Sequence, residues 1–112
     1  MKRIHSVIGL KKDKMNEYWS LHRRVWPSVL KRIKDSNIQN YSIALYLRES
    51  GEMLLVSYFE YVGSDYAADM KKIGDDPETQ KWWELTAPLQ ERVPEAEEGE
   101  WWHELPEVFH TD

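Results

Sequence analysis

A chain of 112 residues with formal net charge −5 is one domain, 1–112, large enough for a single core and too short for two. The acidic balance offers no clustered Lys and Arg for a nucleic-acid partner, and the absence of Cys removes disulfides, thiolate catalysis and Cys-based metal sites together. The apolar stretch in MKRIHSVIGL is too short and interrupted for a signal segment, and no apolar run approaches the ~18 residues of a membrane span. A cytoplasmic protein with no membrane partner is expected.

In chain order, residues 3–10 read as a strand rich in β-branched side chains. Asp13 is the expected N-cap of a helix reaching about Lys34, with Met15, Trp19, Val25, Trp26, Val29, Leu30 and Ile33 on a 3.6-residue period. Pro27 cannot donate to the carbonyl of Arg23 and disfavours helical geometry at Trp26, so a break is expected just after His22, opening space beside the imidazole. Ser36-Asn37 ends this helix. A hairpin follows, with strands at about 38–48 and 53–61 joined by Glu49-Ser50-Gly51-Glu52. The second strand is apolar on both parities, as a central strand should be. Ser64 or Asp65 caps a further helical region that breaks at Gly74. Asp76-Pro77-Glu78 is then a fresh cap, N1 proline and acidic first turn, and the last helix stops near Pro88. The acidic stretch Glu95–Glu100 reads as a solvated loop leading to a final strand near 101–110, interrupted by Pro106.

The order β-α-β-β-α-β is that of an α+β, ferredoxin-like antiparallel sheet with helices on one face. Strands apolar on both parities imply that the other face is covered too. A homodimer packed sheet to sheet is expected, with a C-terminal segment folding over the sheet as the alternative.

Tyr18, His22 and Trp26 follow one another at four-residue spacing, which stacks a phenol, an imidazole and an indole on one helical face. Imidazole is the side chain best poised to move protons near neutrality, so His22 is a candidate general acid/base, with Tyr18 donating to a substrate oxygen or orienting the ring. The plain alternative is a helix histidine satisfied by a backbone carbonyl. Trp82 and Trp83 point about a hundred degrees apart on their helix, so only one fits squarely into a core and the other covers a seam, lines a pocket or stays exposed. Trp101-Trp102 on a strand would face opposite sides of the sheet, one of them in the core or an interface. His5, His22, His103 and His110 show no metal-ligand spacing, and there is no phosphate loop, serine-nucleophile motif or dinucleotide fingerprint. No metal and no cofactor are expected; what remains is a cofactor-free acid/base enzyme or a binding module.

The strings EYWSLHRRVWPSVL (17–30), NYSI (40–43), KWW (81–83) and PEVFH (106–110) together resemble the L-rhamnose mutarotase family. The resemblance runs in order over nearly the whole chain. It implies a dimeric α/β-barrel type of ferredoxin-like fold and a cofactor-free isomerase interconverting the α and β anomers of L-rhamnose. Carried over by position, the proton donor falls on His22 and the substrate contacts on Tyr18, Tyr41, Trp82 and Trp83. The longer 62–80 segment, the acidic 95–100 stretch with Trp101-Trp102, and Arg23-Arg24-Val25 depart from the family pattern. They lie near where sugar hydroxyls would be sorted, and L-fucose is the alternative substrate. A cofactor-free oxygenase of similar fold and a non-catalytic binding dimer are the rival functions.

Overall fold

The computed structural model describes all residues, Met1–Asp112. Its elements are β1 (Lys2–Leu10), α1 (Met15–His22), α2 (Pro27–Asp35), β2 (Ile38–Leu47), β3 (Met53–Tyr61), α3 (Tyr66–Asp75), α4 (Pro77–Thr86), a short 3-10 turn (Ala87–Leu89), β4 (Gln90–Glu91) and β5 (His103–Leu105). All pairings are antiparallel, in the order β2-β3-β1, with β4 and β5 both on the outer edge of β1. The ferredoxin-like arrangement expected from the sequence is therefore present. No helix is long and apolar enough to cross a membrane.

The helical break falls where Pro27 puts it. α1 ends at His22, and Trp26 is extended (φ −61°, ψ 136°) so that the proline can open α2. Asp13, however, is not the cap: it sits in a left-handed turn (φ 65°), and α1 starts after Lys14 with no side-chain cap. The face assignment also shifts, since Tyr18 enters the core whereas Trp19 and Leu30 are each 52% exposed. α3 runs through Gly74, and the break comes at Asp76. There the carboxylate accepts from the Thr79 N–H (2.9 Å) and hydroxyl (2.8 Å), as a cap should. Asp65 caps α3 through Ala68 N–H.

The final strand is not the single run expected over 101–110. Leu10 and Gly9 pair with Gln90 and Glu91, and then Val7, Ser6 and His5 pair with His103, Glu104 and Leu105. One edge strand is thus cut in two by an excursion over 92–102, and Pro106 stops it. Gly9 is required where β4 comes close, because a Cβ there would lie 2.8 Å from the Glu91 carbonyl oxygen.

The acidic stretch is only partly the solvated loop expected. Glu95, Glu97 and Glu98 are exposed, but half-buried Glu100 accepts from His103 Nδ1 (2.9 Å), Glu97 N–H (2.8 Å) and Glu104 N–H (3.2 Å). These bonds, His103 first, hold its carboxyl down at about 2.

The core lies between the helices and one sheet face: Ile8, Leu10, Tyr18, Met53, Leu55 and Leu89, with Met15, Leu21, Ile43, Leu45 and Trp102 packed around them. The opposite face carries Val7, Leu54, Val56 and Tyr46 and has no cover within the chain, leaving Val56 37% and Tyr46 51% exposed. The C-terminal segment does not close over it. Glu107 pairs with Arg3 (2.9 Å) and His5 (3.0 Å) at one end of that face, and Val108 and Phe109 project into solvent.

Candidate active site

The site is built where α1 stops. Tyr18 and His22, one turn apart, bring their rings to 4.1 Å at 25°, a stacked pair. Trp82 of α4 meets His22 edge-on (5.4 Å, 70°) and meets Trp26 in the same way (5.4 Å, 70°). The extended backbone at Trp26 is what carries its indole across to α4 instead of on along a continuous helix.

The imidazole is fixed by its own helix. His22 Nδ1 lies 2.8 Å from the Tyr18 carbonyl oxygen. A carbonyl only accepts, so Nδ1 carries the hydrogen, and Nε2 of the neutral ring keeps a lone pair with no partner in the protein. The carbonyl alternative raised by the sequence therefore accounts for one nitrogen and leaves the other free. Burial lowers the His22 pKa, opposed by the Tyr18 carbonyl, so the neutral ring prevails at pH 7.

Burial pushes the Tyr18 phenol up to about 12; a hydrogen bond from Gln90 opposes this and nearby Tyr41 adds to it. Tyr41 sits in a β-bulge between Gln39 and Ser42, beside left-handed Asn40 (φ 50°). Bulges re-aim side chains, and this one lays the Tyr41 ring against Phe59 at 5.5 Å. Although 42% of Tyr41 is exposed, desolvation pushes its phenol up to about 12.

The structure thus gathers Tyr18, His22 and Trp82, with Tyr41 near Tyr18. Trp83 is set apart. As helical neighbours must, the two indoles diverge: Trp82 is 6% exposed, whereas Trp83 is 44% exposed and lines an open groove with Gln80, Glu84, Ala87 and Pro88. A second cleft, on the flank of α1, is lined by Glu17, Ser20, Leu21, Arg24, Trp26 and Trp82. No group of three or more His, Asp or Glu is placed to hold a metal.

Two residues at this site escape a sequence reading. Gln90, 5% exposed, donates through Nε2 to the Tyr18 hydroxyl (3.1 Å) and accepts through Oε1 from Trp101 Nε1 (2.8 Å). Gln90 lies in what reads as a helix end. The only signal was the Trp101-Trp102 pair, expected on the final strand; it precedes β5 instead, and the structure divides it: Trp102 packs on the core while Trp101 reaches Gln90.

Comparison with known proteins identifies the family. The family model described as L-rhamnose mutarotase matches residues 3–111. An L-rhamnose mutarotase of Shouchella clausii is 30% identical over 98% of both chains. That of Phocaeicola vulgatus is 31% identical over the full length of both, and that of Bacillus subtilis 32% over 80% of each. A crystal structure of an L-rhamnose mutarotase from Formosa agariphila superposes over the whole of both chains with a TM-score of 0.74 at 21% identity, which supports the fold. With the family pattern running from residue 3 to residue 111 and relatives alike from end to end, the chain belongs to the L-rhamnose mutarotase family.

Proposed function

We propose that this protein interconverts the α and β anomers of L-rhamnose by opening and reclosing the sugar hemiacetal, an isomerisation that runs on acid/base chemistry. The observation that carries the mechanism is the tethering of His22 Nδ1 to the Tyr18 carbonyl, which leaves Nε2 as a bare base beside a protonated phenol.

Opening the ring requires a proton to leave the anomeric hydroxyl as another reaches the ring oxygen. His22 Nε2, cast as proton donor by the family pattern, first takes the proton of the anomeric hydroxyl and donates it back on closure, and the O–H bond electrons form the C1 carbonyl. The C1–O5 bond breaks toward oxygen, which takes its proton from Tyr18. Rotation about C1–C2 turns the other face of the aldehyde to O5, and the same two groups then run in reverse. The imidazolium returns its proton to O1, and the phenolate takes one from the O5 hydroxyl. A well-placed acid or base contributes about 10²–10⁴-fold. Trp82 supplies an apolar wall for the C–H face and the 6-methyl group, and Tyr41 a hydrogen bond to a hydroxyl. Trp83 enters as a substrate contact on the family pattern alone.

The same proposal includes a cytoplasmic setting and a homodimer in which a second copy covers the sheet face bearing Val56 and Tyr46. The bare apolar surface there, with Val108 and Phe109 beside it, supports that partner over a self-covering tail.

Saturation-transfer NMR on equilibrating sugar tests the activity. Wild-type protein speeds L-rhamnose anomer exchange and His22→Ala does not, while L-fucose in parallel reads specificity. Broadened sugar signals without faster exchange would instead mark a binding module.

A further inference from the structure

The buried contact that the mutarotation above leaves unused is the one behind Tyr18. Gln90 is enclosed, and its side-chain amide spans two partners of opposite demand. An indole N–H can only donate, so the amide atom 2.8 Å from Trp101 Nε1 is the oxygen. The amide's other end is therefore NH₂, and it faces the Tyr18 hydroxyl oxygen at 3.1 Å. That oxygen has to accept. With the phenol oxygen accepting from this N–H, the hydroxyl proton turns away from Gln90, and no protein acceptor meets it.

We propose that Gln90 is a positioning residue, turned by the Trp101 indole so that Tyr18 presents its proton to the sugar and is stabilised as it gives that proton up. The inference rests on the reading of Tyr18 as the acid. As the Tyr18 O–H bond breaks toward the ring oxygen, charge develops on the phenolic oxygen, and the Gln90 N–H already points at it. This agrees with the direction of that bond's effect, which opposes the upward push of burial on the phenol.

The excursion over 92–102 is the device that delivers the indole. Glu100 ties its far end through His103, Glu97 and Glu104, while Arg92 reaches the carbonyl oxygens of Ala96 (3.4 Å) and Glu97 (2.7 Å). Trp101 itself is 42% exposed and buries little, so the hydrogen bond to Gln90 is what this loop contributes at the site.

The test uses Gln90→Glu, which keeps the shape and reverses the polarity, and Trp101→Phe, which removes the orienting N–H at a half-exposed position and spares the fold. In Gln90→Glu the phenol donates to a carboxylate and is withdrawn from the sugar. Its ¹³Cζ signal, assigned by its loss in Tyr18→Phe, should move toward the phenolate end of the scale at neutral pH. kcat for anomer exchange should fall by about 10²-fold, the cost of misdirecting one preorganised group, with KM within a few-fold. Trp101→Phe should move both readouts in the same direction and less far. A Tyr18 signal that stays put in Gln90→Glu overturns the proposal whatever the activity, as does a kcat within three-fold of wild type. A wild type that fails to speed exchange while the signal still moves sinks the mutarotase reading and leaves the polarity assignment supported.

Discussion

The two faces of the sheet are finished differently. On the face toward the helices, the polar groups behind the proposed acid and base are held: a carbonyl for Nδ1, an amide for the Tyr18 oxygen, an indole N–H for the amide. On the other face, Val56 and Tyr46 lie open, and an Arg3–Glu107–His5 cluster marks one border. The first face is organised within one chain, as the proposed proton transfers require. The second is the kind of surface a chain leaves for something else to cover. Because β1 and β3 serve both faces, residues that alternate along one strand answer to different demands.

Substitutions on either side pull this contrast apart. Trp82→Ala should have the largest effect, removing an indole that is 6% exposed and touches both His22 and Trp26. Loss of a buried Trp costs about 3–5 kcal/mol, read as a lowered midpoint in denaturant. Tyr18→Phe keeps the ring stacked on His22 but deletes the proton, and anomer exchange should slow by about 10²-fold, with stability falling by about 1–3 kcal/mol because the enclosed Gln90 N–H loses its acceptor. Val56→Arg addresses the other face alone: sedimentation should report a monomer, with the ¹³Cζ signal of Tyr18 in place. If association survives that charge, the open face is not the interface.

A pH profile reads the helix-side face through His22. Burial lowers the His22 pKa below the usual 6.5, so the ring stays neutral at pH 7, as the proposed base must. Activity should fall only as pH drops below about 6.5 and the ring takes a proton, in a kcat/KM profile with its acid midpoint under that value. Stability follows the same sign, because the unfolded chain binds that proton at a higher pH than the folded one. The smallest effect belongs to Trp83→Ala: at a site 44% exposed, stability should hold within about 0.5 kcal/mol. A raised KM with unchanged kcat would make Trp83 a substrate contact after all.

Much of this was legible from the residues in order. The helix break after His22 follows from one proline, the cap at Asp76 from one dipeptide, and the central position of β3 from apolar residues on both parities. The stripe of Tyr18 and His22 needed only helical periodicity. What escaped was set by tertiary pairing. Asp13 has the side chain of a cap, but its left-handed backbone leaves nothing for it to cap. Gln90 and Trp101 meet only because β4 and β5 share the edge of β1, a register that no local pattern encodes. Trp19 and Leu30 fit the apolar period yet face outward, since the break lets α1 and α2 turn separate faces to the sheet.

The interrupted edge strand has an evolutionary corollary. Pairing with β1 stops at Glu91 and resumes at His103 along the same rail. Length added or deleted between those rungs is absorbed outside the ladder. Descendants of this chain can therefore rebuild the span that carries Trp101, and with it the hydrogen bond to Gln90, while the underlying scaffold stays untouched.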